Sequence, residues 1–216
     1  MSHLNAGSKH EWRAAGVRSK NGLMRELHRA PATEKDLETI PDGWTGQIID
    51  GELWALPRPS FGHSRVTSRL GVELGGPFDM GRGGPGGWLI LDEPELHLRQ
   101  DILVPDLAGW RRERMQVEPA AEAPFFTIAP DWVCEVLSPS TARLDRVKKW
   151  RSYLREGVSW LWFIDPVGRT LEAYRREGAQ YQSIGTWEAG EKARVAPFDA
   201  IELELDLLWG AETSSA

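Results

Sequence analysis

Apolar and polar positions repeat along this chain with two periods, and the change from one to the other marks its elements. Residues 47–56 (QIIDGELWAL) alternate on either side of Asp50-Gly51, a pair that tolerates positive φ, which predicts a β-hairpin with a two-residue turn. Between His63 and Leu74 the period lengthens. Val66, Leu70 and Leu74 recur on one face with Val72 beside them, so an α-helix is expected there. Residues 88–91 (WLIL) and 95–98 (ELHL) predict strands around a turn at Asp92-Glu93-Pro94. Val133, Cys134, Val136 and Leu137 form a buried-strand pattern broken by one carboxylate, Glu135. Asp106 interrupts a similar run, between Leu103, Val104, Pro105 and Leu107, Ala108, Trp110.

A second helix is expected next. Ser138 or Ser140 can cap it, Pro139 suits its first turn and Gly157 ends it. Leu144, Val147, Trp150 and Leu154 supply its apolar stripe, while Asp145, Lys149 and Tyr153, spaced four apart, share another face. Strands follow at 160–164, 170–175 and 181–187, with a further one at 193–195. The run 201–207 (IELELDL) fits an edge strand or a helix with an acidic solvent face.

The remaining stretches read as punctuation. Thr33 can cap a short helix over 33–40 that ends before Pro41 and Gly43. Residues 75–87 hold seven glycines and two prolines; GRGGPG at 81–86 matches GxGxxG in form, but Pro85 lies inside it and a strand follows. A mobile loop able to close over a substrate is expected instead. Residues 115–130 read as a connector anchored by Phe125 and Phe126. Residues 1–32 are basic and lack an apolar period, which predicts a disordered extension, with Met24 a candidate start. A single domain is expected over 33–212, with a frayed tail at 213–216.

Composition narrows the function classes. The one cysteine, Cys134, excludes an intramolecular disulfide and a CxxC-type zinc site. No apolar run is long enough for a membrane span and no signal-peptide core follows Met1, so a cytoplasmic protein without membrane contact is expected. A net charge of −6 counts against a protein that coats nucleic acid. Locally the balance reverses, because 142–156 carry six basic and two acidic residues, and Arg111, Arg112 and Arg114 follow Asp106.

The two carboxylates pose the chemical question. An ionised acid in an apolar run requires a metal, a cation or a set of hydrogen-bond donors. Converging strand carboxylates can hold a hard divalent cation that keeps waters for substrate and nucleophile. The alternative has Asp106 capping a turn after Pro105 and Glu135 paired with an arginine. Asp145 and Lys149 can likewise be an ordinary surface pair.

Asp106, EVLSPST at 135–141, DRVKKWRSY at 145–153 and GVSWLWFIDP at 157–166 together resemble the Uma-type (Uma-two) family, long filed as a domain of unknown function within the PD-(D/E)XK nuclease superfamily. The resemblance runs from about residue 47 to about 174 and includes the hairpin and His63. It implies an α/β fold, restriction-endonuclease-like, in which a mixed twisted β-sheet is flanked by helices and preceded by a β-hairpin. It also implies an endonuclease that hydrolyses DNA with magnesium, or manganese, held by Asp106 and Glu135 and the Val136 carbonyl as a third candidate. The superfamily lysine is missing, since Leu137 stands two residues after Glu135; Lys149 is the substitute in register. Glu52, His63, Asp145 and Tyr153 are accessory candidates, and Gln47 stands where the family often carries an acid. A homodimer is implied if both DNA strands are cut. The competing expectation is a catalytically inactive nuclease-fold protein that binds nucleic acid, or a protein partner through some of its eleven tryptophans.

Overall fold

The computed structural model describes residues 25–27, 31–115 and 122–210. In chain order the elements are β1 (Arg25–Leu27), α1 (Glu34–Leu37), β2 (Trp44–Ile49), β3 (Glu52–Pro57), α2 (Phe61–Leu74), β4 (Trp88–Asp92), β5 (Leu96–Leu98), β6 (Asp101–Leu103), β7 (Leu107–Arg111) and β8 (Trp132–Val136). A π-helical segment, Leu144–Lys149, then runs into α3 (Trp150–Glu156). It is followed by β9 (Trp160–Asp165), β10 (Thr170–Glu177), β11 (Gln180–Glu188), β12 (Lys192–Ala193), β13 (Leu203–Glu204) and α4 (Leu205–Trp209). No helix among the described residues is long and apolar enough to cross a membrane.

Among the described residues the strands form a six-stranded sheet, β11-β10-β9-β8-β7-β4, a five-stranded sheet, β1-β3-β2-β6-β5, and the ribbon β12-β13. The large sheet is mixed. β8 and β9 are parallel, whereas β7 lies antiparallel to β8. Parallel neighbours need a long crossover, and residues 137–159 supply it with the π segment and α3. The expected hairpin is β2-β3; Asp50 and Gly51 both take positive φ (53° and 76°) between the paired Ile49 and Glu52.

Alternation along β8 divides the core. Trp132, Cys134 and Val136 face Val66, Leu70 and Leu74 of α2 together with Phe78 and Phe198. Val133 and Leu137, on the other side, pack with Leu144, Tyr153 and Phe163 under the π segment. Glu135 therefore points into the second layer. A third cluster, Ile48, Leu53, Ala55 and Ile102, holds the smaller sheet together.

Several elements depart from expectation. Within 1–32, residues 25–27 form β1, paired with β3, and the rest of the extension except residues 31–32 lies outside the described residues, as does the tail at 213–216. The glycine-rich stretch does not form an open lid. Residues 75–79 continue α2 as a π turn that buries Phe78, and the backbone folds back through Arg82 N–H to Gly76 (2.8 Å) and Gly86 N–H to Pro77 (2.9 Å). The helix expected over 138–157 begins only at 142, and its apolar stripe is broken, since Val147 is exposed while Asp145 and Lys149 are buried. The cause is local. Trp150 N–H bonds the Asp145 carbonyl five residues back, which widens the turn and rotates this polar row inward. The alternating run at 201–207 resolves into both readings at once, β13 followed by α4.

Candidate active site

Asp106 and Glu135 meet because of strand register. Leu107 pairs with Cys134, and one step further brings Asp106 opposite Glu135 on the same face of the sheet. Asp106 lies just before β7 and its Oδ2 accepts from Val136 N–H at 2.6 Å. Its Oδ1 is 3.2 Å from His63 Nε2, which α2 delivers from its first turn. The other imidazole nitrogen of His63, Nδ1, is buried without a hydrogen-bond partner among the described residues.

Glu135 sits at the centre of a buried polar cluster. Lys149 Nζ donates to its two carboxylate oxygens at 3.0 and 3.1 Å, and Tyr153 OH donates to Oε1 at 2.5 Å. Lys149 also donates to the Val104 carbonyl at 3.2 Å and lies 3.5 Å from Asp145 Oδ1. Glu135, Asp145 and Lys149 are only 1%, 2% and 2% exposed. The accessory candidates thus divide. His63, Asp145 and Tyr153 join the cluster, whereas Glu52 pairs with Lys148 outside the pocket.

Burial dominates the electrostatics. Desolvation raises the Glu135 carboxyl to about 8; Lys149 opposes it, and Asp145 and Asp106 add to it by repulsion. Asp145 is raised for the same first reason. Burial pulls the Lys149 ammonium down, but Glu135, Asp145 and Asp106 outweigh that and hold it above the ordinary lysine value. The two directions agree when the cluster is taken whole. Three carboxylates face one ammonium, so the lysine keeps its proton and the acids remain short of positive charge. His63 is raised as well: burial lowers it, and the Asp106 hydrogen bond together with the negative charges of Asp106, Asp145 and Glu93 outweighs that.

A cavity of about 340 Å³ opens onto the group, with Asp106, Glu135, Asp145, Lys149 and His63 on its walls. The oxygen donors suit a hard divalent cation, which binds through one or two carboxylates and retains waters. Among the described residues, however, no three His, Cys, Asp or Glu side chains are arranged as a ready-made metal site. Glu135 is instead engaged by Lys149 and Tyr153.

Four features were not assigned to the site from sequence alone. Gln47, buried on β2, accepts from Val104 N–H at 3.0 Å and lines the cavity, so this position serves the wall even with an amide. The Val104 carbonyl, Glu93 and Arg58 line it too or bond its lysine. Two carried a signal: Gln47 stands where the resembled family often has an acid, and Glu93 belongs to the Asp92-Glu93 pair, two acids able to join a metal shell but read more simply as a turn. Conversely, the Arg111 to Arg114 cluster is not beside the acids. β7 runs away from Asp106, so Arg111 is about 17 Å along the strand at the usual rise. There Arg111 covers the Trp88 ring at 4.8 Å and Arg114 pairs with Asp131 at 2.5 Å.

Comparison with known proteins agrees with this architecture. A crystal structure described as "a putative nuclease belonging to DUF820 from Anabaena variabilis" superposes with a TM-score of 0.66 and 24% identity, covering 83% of this chain and 98% of that one. No curated protein matches. A family model, described as "Uma2: Putative restriction endonuclease", matches residues 31–207, and the chain belongs to that family.

Proposed function

We propose that this protein is a metal-dependent endonuclease that hydrolyses DNA phosphodiester bonds at the Asp106, Glu135 and Lys149 cluster. The observation that carries the reading is the charge shortage just described, three carboxylates around one ammonium on the wall of one cavity. Membership of a family described as restriction endonucleases supports it. Asp106 and Glu135 would hold magnesium or manganese, as both suit carboxylate and water ligands. When bound, the metal supplies a water of lowered pKa and charge stabilisation at the phosphate.

The protein's own groups have separable parts. Lys149, beside Glu135 on the cavity wall, would supply a fixed positive charge for a phosphate oxygen. Tyr153 keeps Glu135 oriented from the buried side. His63 orients Asp106 through Nε2. Asp145 holds Lys149 at the floor of the cavity.

Calorimetric titration of magnesium and manganese into the wild type and Glu135→Ala, beside a nicking assay on supercoiled plasmid, tests this. Binding and nicking should both be present in the wild type and both absent in the variant. Metal binding and nicking that survive Glu135→Ala at wild-type levels would end the proposal. A second reading is a nuclease fold that binds nucleic acid without cutting it, favoured by the engagement of Glu135 with Lys149 and Tyr153 and by Gln47 in the wall. Under that reading the wild type binds DNA but neither takes up metal nor nicks.

A further inference from the structure

The rim of the cavity carries one side chain for which this chemistry has no use, Arg58, and a second, Phe61, stands just outside the lining of the cavity. Arg58 stands between Pro57 and Pro59 at the end of β3 and is exposed. It lines the acid-walled cavity and also a neighbouring one of about 410 Å³, and among the described residues no carboxylate or hydrogen-bond partner holds its guanidinium. Three residues later Phe61 opens α2, two positions before the His63 that bonds Asp106. Its ring is 81% exposed, more than any other large hydrophobic side chain described, with the Arg65 guanidinium carbon 6.0 Å from its centroid.

We infer that this rim holds an unpaired DNA strand, with Arg58 on a backbone phosphate and Phe61 stacked on a base. The inference rests on the nuclease reading above and names the form of its substrate. Thr45, Arg58, Pro59, His63 and Glu93 belong to the walls of both cavities and form the ridge between them, and Arg58 is the guanidinium that a strand entering the acid-walled cavity from the other one passes. Arginine matches phosphate geometry with two parallel donors. The second cavity has no cation besides Arg58 and His63 among its lining side chains, and Asp92 and Glu93 there repel phosphate. Trp44, Thr67 and Ser68 suit a base instead. An aromatic face reaches a base face only where that base is unstacked, which a continuous duplex does not offer. Few phosphates can be engaged, because Arg146, Lys148 and Arg155, on the π segment and α3, already face carboxylates.

Fluorescence anisotropy with a labelled single-stranded oligonucleotide and with a hairpin duplex of the same composition, both in chelator so that no cleavage runs, tests the inference across a salt series. Phe61→Ala should weaken single-strand binding by roughly 5- to 100-fold with an unchanged salt slope, and leave duplex binding alone. Phe61→Trp should restore it. Arg58→Ala should reduce the single-strand salt slope by about 0.7, the share of one phosphate contact. Both side chains are on the surface, and circular dichroism checks that each variant folds. Variants that bind like the wild type, while the wild type binds and cuts DNA, overturn the rim alone. Equal losses on duplex and single strand overturn the unpaired substrate. A wild type that neither binds nor cuts DNA overturns the nuclease reading and the rim with it.

Discussion

The stretch from Leu144 to Glu156 carries charges on two faces, and the faces are neutralised differently. Outward, three cations have met an acid from another element: Arg146 with Glu172 at 2.9 and 2.5 Å, Lys148 with Glu52, and Arg155 with Asp50 at 2.9 Å and with Asp101. Inward, Lys149 alone serves Glu135 and Asp145, with Asp106 close enough to repel both. A basic run in sequence is therefore not by itself a surface for nucleic acid, because most of this one is already matched. Arg143 and Arg151 remain exposed without an ion pair among the described residues. The unmatched carboxylates lie inside.

The sharpest way to break this contrast is to remove the inner cation. Lys149→Met leaves buried carboxylates with no ammonium, and stability should fall by about 3–5 kcal/mol in urea denaturation. Adding Glu135→Gln to it should recover most of the loss, since the orphaned charge disappears. A Lys149→Met protein as stable as the wild type would mean that the ammonium is not what neutralises the cluster.

Glu135→Gln on its own should separate function from stability. Nicking is expected to drop by about 10²-fold or more, as when one preorganised electrostatic group is removed from a site. Urea stability at pH 8 should hold or rise, because a neutral amide costs less to bury than a carboxylate whose own value lies near 8. Parallel losses of both would place Glu135 among structural ion pairs and outside the chemistry.

The same residue gives the inner face a pH signature. The Glu135 carboxyl is raised from 4.5 to about 8, so between those values the native state binds a proton that the unfolded chain has released. Stability then decreases as pH rises through that window. Lys149 adds a contribution of the other kind, present below its unfolded value of 10.5 and lost only at higher pH, so it leaves this window untouched. Melting temperatures at pH 5.5, 7 and 8.5 in chelator should fall in that order, and magnesium should flatten the trend by favouring the carboxylate. Identical trends with and without magnesium would separate the cluster from metal binding.

Much of this was legible in the chain. Asp106 and Glu135 stood out because each breaks an apolar run, and a carboxylate there demands a partner whatever the fold. The β2-β3 turn was legible because Asp50 and Gly51 accept φ values that most residues resist. Helical spacing placed Asp145, Lys149 and Tyr153 on one face, yet it assigned the buried side to the stripe through Val147. The π turn reverses this locally, and a widened turn leaves no mark in a 3.6-residue period. β6, only three residues long with a buried Asp101, was not distinguishable by alternation. Nor does sequence register show that Gln47 supports Val104, a bond across 57 residues.

Between the inner cluster and the exposed pairs lies Arg155. Asp101 is fully buried, and Asp50 N–H also donates to it at 2.9 Å. Arg155→Ala leaves that carboxylate short of its charge partner and should cost about 1–3 kcal/mol. Arg155→Lys should recover part of it, since an ammonium supplies charge without the fork that spans Asp50 and Asp101. Thermal unfolding of the two variants decides; no loss in the alanine variant would show that Asp101 is satisfied by the backbone alone.

The weakest expected effect completes the contrast. Arg146 and Glu172 have ideal bidentate geometry, supported by Tyr174 OH on Glu172 at 2.6 Å and by the Phe163 ring 4.9 Å from the guanidinium. Both side chains nevertheless remain in contact with water, at 37% and 20% exposure, so the attraction is screened. The Arg146 hydrogen bond lowers the Glu172 carboxyl, which adds stability above its unfolded value of 4.5 that is lost as pH falls through the lower folded value. A double-mutant cycle on Arg146→Ala and Glu172→Ala should give a coupling below about 1 kcal/mol that shrinks in high salt and below pH 4. The same cycle on Lys149→Met and Glu135→Gln should give a larger coupling that salt barely alters. Equal couplings would mean that burial does not divide the two faces, and the charge shortage would then no longer single out the inner one as a site.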